Sequence, residues 1–186
     1  MDKPAREVII NQAKLATIQG DITRQATDAI VNAANPGLMG GGGVDGSIHR
    51  AGGPSILEDC RQIVAKKGRL PTGKAVITTG GNLPAKHVIH TVGPIWRGGN
   101  KGEAALLESA YRESLKLAAE QKLSSVSFPS ISTGVYGYPV AEAAGVAIRT
   151  VVSFLSGQVT PVKEVVFVLF DPITYQAYSS ALEEAV

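Results

Sequence analysis

Val31-Asn32-Ala33-Ala34-Asn35 leads through Pro36-Gly37-Leu38-Met39 into Gly40-Gly41-Gly42-Gly43-Val44-Asp45-Gly46-Ser47-Ile48-His49. An apolar, strand-like run breaks there into a loop of small residues that opens a helix. Glycine lets the backbone approach a ligand closely, and the start of a helix aims unpaired N–H groups and the positive end of its dipole at whatever occupies the loop, so the natural guest is an anion. The pattern recurs where Ser130-Ile131-Ser132-Thr133-Gly134 runs into Val135-Tyr136-Gly137. Two such loops predict a diphosphate. The first also carries Asn32, Asn35, Asp45 and His49, more polar chemistry than phosphate binding requires, and that surplus points to catalysis.

Working outward, apolar runs at residues 14–20, 28–33, 74–79, 87–92, 125–129 and 164–170, most with Val or Ile and bounded by Gly, Pro or Asp, read as strands. Leu107, Tyr111, Leu115 and Ala118 recur at helical spacing, as do Val140, Ala144, Ala147, Val151 and Leu155, which predicts amphipathic helices over 103–121 and 140–155. Shorter helices are expected over 55–67 and 173–184. Strands alternating with helices imply an α/β sandwich with a largely parallel sheet, in which ligands gather outside the carboxyl ends of the strands. Both glycine loops fall at such ends. The run 97–102 reads as a flexible loop, and residues 1–186 as one domain.

Composition narrows the function classes. The formal charge is +2, from 18 basic and 16 acidic residues, and no Lys/Arg stripe argues for nucleic acid. Cys60 is the only cysteine and the three histidines are scattered, so internal disulfides are excluded and no spacing reads as a metal site. The charged start, Met1 to Glu7, is followed by no signal-type apolar stretch, and the run 165–170 is far too short to span a bilayer. A cytoplasmic protein without a membrane partner is the expectation.

Two motifs mislead. Gly41, Gly43 and Gly46 match the dinucleotide fingerprint G-x-G-x-x-G, but Val76-Ile77-Thr78-Thr79-Gly80 lacks the ribose-binding acid that should close the next strand. Residues 68–74 imitate a P-loop, yet Ala75 stands where a hydroxyl residue would hold magnesium, and the segment leads out of a helix into a strand.

Gly20-Asp21-Ile22-Thr23, Asn32-Ala33-Ala34-Asn35, the run from Gly40 to His49, Ile89-His90-Thr91-Val92-Gly93-Pro94 and Ile131 to Gly137 together resemble a macrodomain of the MacroD type, from about Lys14 to the final helix. The resemblance implies a three-layer α/β/α sandwich on a mixed, largely parallel central sheet, with a pocket for ADP-ribose. It implies hydrolysis of ADP-ribose esters without a cofactor or metal: deacetylation of O-acetyl-ADP-ribose and removal of mono-ADP-ribose from acidic side chains of proteins. A non-catalytic reader of ADP-ribose would use the same pocket. A nicotinamide-dependent oxidoreductase is a third class, disfavoured by the missing ribose acid.

The residues accept these roles on physical grounds. Adenine presents an amine donor beside a ring acceptor, which Asp21 and the backbone N–H of Ile22 complement, although Asp21 also suits a helix cap. Phe170, closing the last strand, is placed to lie on the adenine or to pack in the core. Gly42, Gly43 and Val44 would meet one phosphate, and Ser132, Thr133, Gly134, Val135 and Tyr136 the other with its sugar, Tyr136 closing over the distal ribose. Asn35 would hold a ribose hydroxyl, or form an Asx turn before Pro36-Gly37. Asp45 would orient or deprotonate water, or cap the helix; an acid near a helix N-terminus is a weakened base, which leaves room for the substrate itself to guide the water. Asn32 and His49 are assigned supporting roles, the latter one helical turn from Asp45. His87 and His90 are assigned to structure. Pro36-Gly37-Leu38-Met39 departs from the family's usual residues without touching the chemistry. No adjacent glutamate pair follows the glycine loop, so trimming of poly-ADP-ribose is not expected.

Overall fold

A computed structural model describes residues 6–186, in which seven strands form a single sheet in the order β1-β2-β7-β6-β3-β5-β4. The strands are β1 (Arg6–Ile10), β2 (Ala13–Gln19), β3 (Ala29–Ala33), β4 (Ala75–Thr79), β5 (His87–Thr91), β6 (Ser125–Phe128) and β7 (Glu164–Leu169). The inner pairings β2–β7, β7–β6, β6–β3 and β3–β5 are parallel, while β1 and β4 close the two edges antiparallel. The sheet is therefore mixed and largely parallel.

The strand β1 carries no alternation that marks it, since both Ile9 and Ile10 are apolar and Ile9 is exposed. It exists because Asn11 and Gln12 take left-handed conformations (φ 48° and 70°), a tight hairpin turn that lays residues 6–10 against β2. An Asn-Gln turn lacks the glycine that usually announces such hairpins.

The helices are α1 (Gly43–Gly52), α2 (Pro54–Lys67), α3 (Glu103–Glu120), α4 (Val140–Gly157) and α5 (Pro172–Ala185). Alternate residues of the inner strands feed two cores. Val31, Ile89, Val126, Phe128, Val165 and Phe167 pack under α3, α4 and α5 with Leu107, Tyr111, Ala147 and Tyr178. Ile30, Val88, Val166 and Val168 pack with Ile48, Ile56 and Cys60 of α1 and α2. Both faces are thus covered, giving three layers of helix, sheet and helix. By length and mean hydropathy (1.3) α4 could cross a membrane, but half of it is buried, and it lies between α3 and α5.

The second loop departs from expectation. It does not run into a helix: Gly137 turns at φ 72°, Pro139 follows, and α4 starts only at Val140. Its anion-binding capacity therefore lies in loop amides rather than in a helix dipole.

Candidate active site

The ends of four adjacent parallel strands, β2, β7, β6 and β3, open into one cleft of about 840 Å³. Gly20, Asp21 and Ile22 leave β2, Phe170 leaves β7, the segment 129–136 leaves β6, and Asn35 with Gly41 to Asp45 leaves β3. Parallel strands point their carboxyl ends the same way, so segments far apart in the chain converge there. A second groove, between α4 and α5, is lined by Glu142, Arg149 and Ile173 and lies apart from these strand ends.

The first loop delivers bare amides. The N-cap of α1 is Gly42, with no side-chain cap, and the first helical hydrogen bond runs from the Gly46 N–H to the Gly42 carbonyl at 3.2 Å. The amides of Gly43, Val44 and Asp45 therefore have no partner within the helix. Gly40 and Gly43 sit at φ 86° and 58°, conformations that L side chains rarely adopt.

The second loop is held from below by two buried tyrosines. The Ile131 N–H donates to the Tyr111 hydroxyl at 3.2 Å, the Tyr111 hydroxyl reaches the Pro129 carbonyl at 3.3 Å, and Tyr178 pairs with Ser130 Oγ at 2.9 Å. Burial pushes both phenols above their ordinary range, so they stay protonated. The bonds that close the loop, Gly137 N–H to the Gly134 carbonyl and Tyr138 N–H to the Ser132 carbonyl, draw on none of the amides of Gly134, Val135 and Tyr136. Ser132 is held at φ 69°, a strained conformation for a residue with a side chain. Gly93 is what allows this: a Cβ there would stand 2.2 Å from Ser132 Oγ.

At the far end, Asp21 fulfils the capping reading with one oxygen and keeps the other open. Its Oδ1 accepts from the Thr23 N–H at 2.9 Å and Oγ1 at 2.7 Å, capping a short 3-10 turn (Ile22–Arg24). Its Oδ2, with Arg24 only at 4.0 Å, is left for a ligand. Phe170 is 82% exposed, so the core-packing alternative fails, and its ring is available at the cleft.

Asp45 does not cap α1. It is turned inward, 6% exposed, and its Oδ1 accepts from Asn32 Nδ2–H at 2.8 Å. His49 Nε2 lies 3.4 Å from the same oxygen without hydrogen-bond alignment. Asn35 Nδ2–H donates to the Gly40 carbonyl at 2.9 Å and so braces the loop, leaving its second N–H and its carbonyl. A Cβ on Gly41 would stand 3.3 Å from Asp45 Oδ2 and 3.4 Å from Asn35 Nδ2. Carboxylate and amide therefore border one small space, kept open by the missing side chain.

Asn32 and His49 do not line the cleft; they stand behind it. Gly41, Ser47 and Arg50 do line it, and sequence reading passed over them. For Gly41 the signal was present in the glycine run; Arg50 becomes visible only because α1 carries it two turns beyond the unpaired amides.

The buried side brings together what spacing concealed. His49, Cys60 and His90 place their donor atoms within 4.8 Å of one another, a grouping of metal-ligand types. Two of them are held as neutral groups: burial pushes the Cys60 thiol up to about 11, and His90, its pKa pushed down by burial, meets Thr78 Oγ1 through Nε2 at 2.9 Å. Among the described residues, the buried side-chain atoms without a hydrogen-bond partner are Asn32 Oδ1, His49 Nε2 and Ser132 Oγ. Ser132 lines this cleft, and Asn32 and His49 stand directly behind it.

Known proteins share this architecture. The family model for the macro domain matches residues 31–147. The O-acetyl-ADP-ribose deacetylase of Escherichia coli strain K12 is 52% identical over 173 residues, covering 93% of this chain and 97% of that protein. A macro domain-containing protein of Caldanaerobacter subterraneus subsp. tengcongensis is 58% identical over 171 residues, 92% of this chain and 97% of its own length. The Oceanobacillus iheyensis macrodomain solved with ADP superposes with a TM-score of 0.94 at 45% identity, over 100% of this chain and 97% of that one. The Trypanosoma brucei macrodomain solved in complex with ADP-ribose gives 0.82 at 38% identity, over 90% and 68%. With its sheet order, its two glycine loops and this similarity over most of its length, the chain belongs to the macro domain family.

Proposed function

We propose that this protein is a hydrolase of esters on the distal ribose of ADP-ribose, deacetylating O-acetyl-ADP-ribose and releasing mono-ADP-ribose from acidic side chains of proteins. One observation carries the reading: an inward-turned carboxylate, Asp45, borders the same gap as the Asn35 amide, directly beside the free amides of α1. A pocket that only held a nucleotide would have no use for a carboxylate at its phosphate end, where it repels the ligand.

The side chains suggest the following division of labour. Asp21, the Ile22 amide and Phe170 take adenine; the amides of Gly42 to Val44 and of residues 132–136 take the diphosphate; Tyr136 covers the distal ribose. Asn35 then fixes a ribose hydroxyl while Asp45 Oδ2 accepts a hydrogen bond from water and aims its oxygen at the ester. Attack of that oxygen on the acyl carbon breaks the acyl–oxygen bond, and the water's proton passes by way of Asp45 or a phosphate oxygen of the substrate to the departing ribose oxygen, which leaves as the hydroxyl; attack on the ribose carbon instead releases the carboxylate as it stands. Holding water and ester in register accounts for much of the acceleration, since orientation alone is worth about 7–11 kcal/mol in favourable cases. Relatives of this length named O-acetyl-ADP-ribose deacetylase support the acetyl ester as substrate; the protein-linked ester is inferred from the same distal ribose chemistry.

The deciding experiment measures turnover of O-acetyl-ADP-ribose and of a glutamate-linked ADP-ribosylated protein by wild type and Asp45→Ala, with ADP-ribose binding by calorimetry for both. Turnover by wild type alone, with binding kept in both, is expected. Binding without turnover of either substrate by the wild type would make the protein a reader.

A further inference from the structure

Behind Asp45 runs a chain of buried side chains that the reaction touches only at its near end. Parallel pairing sets Asn32 of β3 opposite His90 of β5, and Thr78 of β4 lies diagonally beyond. Asn32, His90 and Thr78 are 0%, 0% and 4% exposed. We propose that His90 and Thr78 are positioning residues for Asp45, forming with Asn32 a relay whose fixed hydrogen-bond polarity obliges Asn32 to present its N–H, and not its carbonyl, to the carboxylate. The proposal rests on the hydrolase reading above.

The polarity is set from the far end. Thr78 Oγ1 donates its single proton to the Thr79 backbone carbonyl at 3.0 Å, an atom that only accepts. In the relay the hydroxyl accepts toward His90, so that the 2.9 Å contact is a donation from His90 Nε2–H. Burial holds the ring neutral, its pKa pushed down to about 3, with His49 adding to the effect. A neutral ring with its proton on Nε2 has a bare Nδ1, which accepts from Asn32 Nδ2–H at 3.1 Å. The second proton of that same amide nitrogen goes to Asp45 Oδ1 at 2.8 Å.

Asn32 Oδ1 is left buried and without a partner, an arrangement that a freely turning amide would abandon. Turned the other way, however, the amide would set its carbonyl oxygen against both the bare Nδ1 and the carboxylate, two acceptors facing a third. With Oδ1 of Asp45 tied back, Oδ2 points to the gap beside Gly41 and Asn35. His90 thus acts on the reaction through Asn32, and the histidine that sequence reading assigned to structure decides which way the carboxylate faces.

The test compares wild type, His90→Leu, His90→Asn and Thr78→Val for kcat and KM on O-acetyl-ADP-ribose, with calorimetric binding of ADP-ribose as the measure of an intact cleft. His90→Leu removes the Nδ1 acceptor and should lower kcat about 10- to 100-fold, the scale of a misplaced catalytic group, with the ADP-ribose Kd within about threefold of wild type. His90→Asn restores an acceptor near Nδ1 and should recover at least about tenfold of that loss. Thr78→Val, nearly isosteric, takes away the oxygen acceptor for Nε2–H, leaving only the weak Cys60 sulfur at 3.9 Å, and should lower kcat with Kd unchanged; it carries the test if His90→Leu fails to fold. In wild type, long-range ¹⁵N spectra should show His90 as the Nε2–H tautomer throughout pH 5 to 8. Unchanged kcat in both His90→Leu and Thr78→Val, no recovery in His90→Asn, or an Nδ1–H tautomer would each overturn the relay. A wild type that binds ADP-ribose yet turns nothing over would bring down the hydrolase reading and the positioning role with it, whereas wild-type turnover with indifferent variants would bring down the relay alone.

Discussion

Gly46→Ala separates helix stability from ligand binding within a single methyl group. Gly46 lies inside α1, where exchanging glycine for alanine ordinarily stabilises by about 1 kcal/mol. Here the added Cβ would stand 2.4 Å from the Gly41 carbonyl oxygen and 3.0 Å from Arg50 Nη1. The guanidinium, at the exposed end of a flexible side chain, can swing aside. The carbonyl is backbone, and moving from 2.4 Å to ordinary contact at 3.4 Å requires a retreat of about 1.0 Å between α1 and the loop before it. A phosphate spanning Gly42 to Val44 would then lose at least one amide hydrogen bond. A bond to a charged group is worth about 1.5–3 kcal/mol, so ADP-ribose should bind about 10- to 150-fold more weakly. Calorimetry with ADP-ribose reads this directly, with thermal unfolding alongside. Gly145→Ala is the matched control: it too lies inside a helix, but its Cβ meets only the Arg149 guanidinium, so melting should rise while affinity stays put. An ADP-ribose affinity for Gly46→Ala within threefold of wild type, in a folded protein, would refute the placement of phosphate on this loop.

Three further outcomes are expected. Asp21→Ala should cost about 1 kcal/mol through the lost cap and abolish discrimination between ADP-ribose and its inosine analogue, which lacks the exocyclic amine; competition binding with the two ligands checks it. Tyr111→Phe leaves the buried Ile131 N–H without the hydroxyl it now meets at 3.2 Å, so denaturant unfolding should show a loss of about 1–3 kcal/mol, with weaker ADP-ribose binding as the second loop loosens. Glu103, 1% exposed, binds the loop before α3: burial opposes its charge, but the amides of Arg97, Gly99 and Lys101, at 3.0, 2.8 and 2.6 Å, prevail and hold its carboxyl down to about 2. Because the folded value lies below the ordinary 4.5, this stabilisation is complete above pH 4.5 and fades as pH falls toward 2. The melting difference between wild type and Glu103→Gln should therefore be full at neutral pH and shrink across that acid window.

Reading the chain without its structure succeeded where one segment contains its own explanation. The strand β3, its loop and α1 form an unbroken run, so the glycines, Asn35 and Asp45 could be placed at a helix start by sequence order alone. The second loop was read one step too far, because nothing local distinguishes a small-residue loop that enters a helix from one that turns back at Gly137 and Pro139 before α4. The capping reading of Asp45 failed for a similar reason. Capping is a local option open to any acid near a helix start, and only the presence of Asn32 beneath α1 draws the carboxylate inward.

What the amino-acid order determined by itself was therefore whatever depends on near neighbours: strand and helix periodicity, the α/β alternation and the glycine loops at strand ends. Its family-wide pattern of motifs extended that to the whole domain. Tertiary structure alone decided what depends on pairing between distant strands. The parallel register of β3 with β5 sets Asn32 against His90, β4 brings Thr78 behind them, and α2 adds Cys60. The order of β2 beside β7 places Phe170 next to Asp21. A hydrogen bond between side chains 58 positions apart leaves no periodicity in the chain, because its geometry is supplied by the sheet and not by the segment that carries either residue.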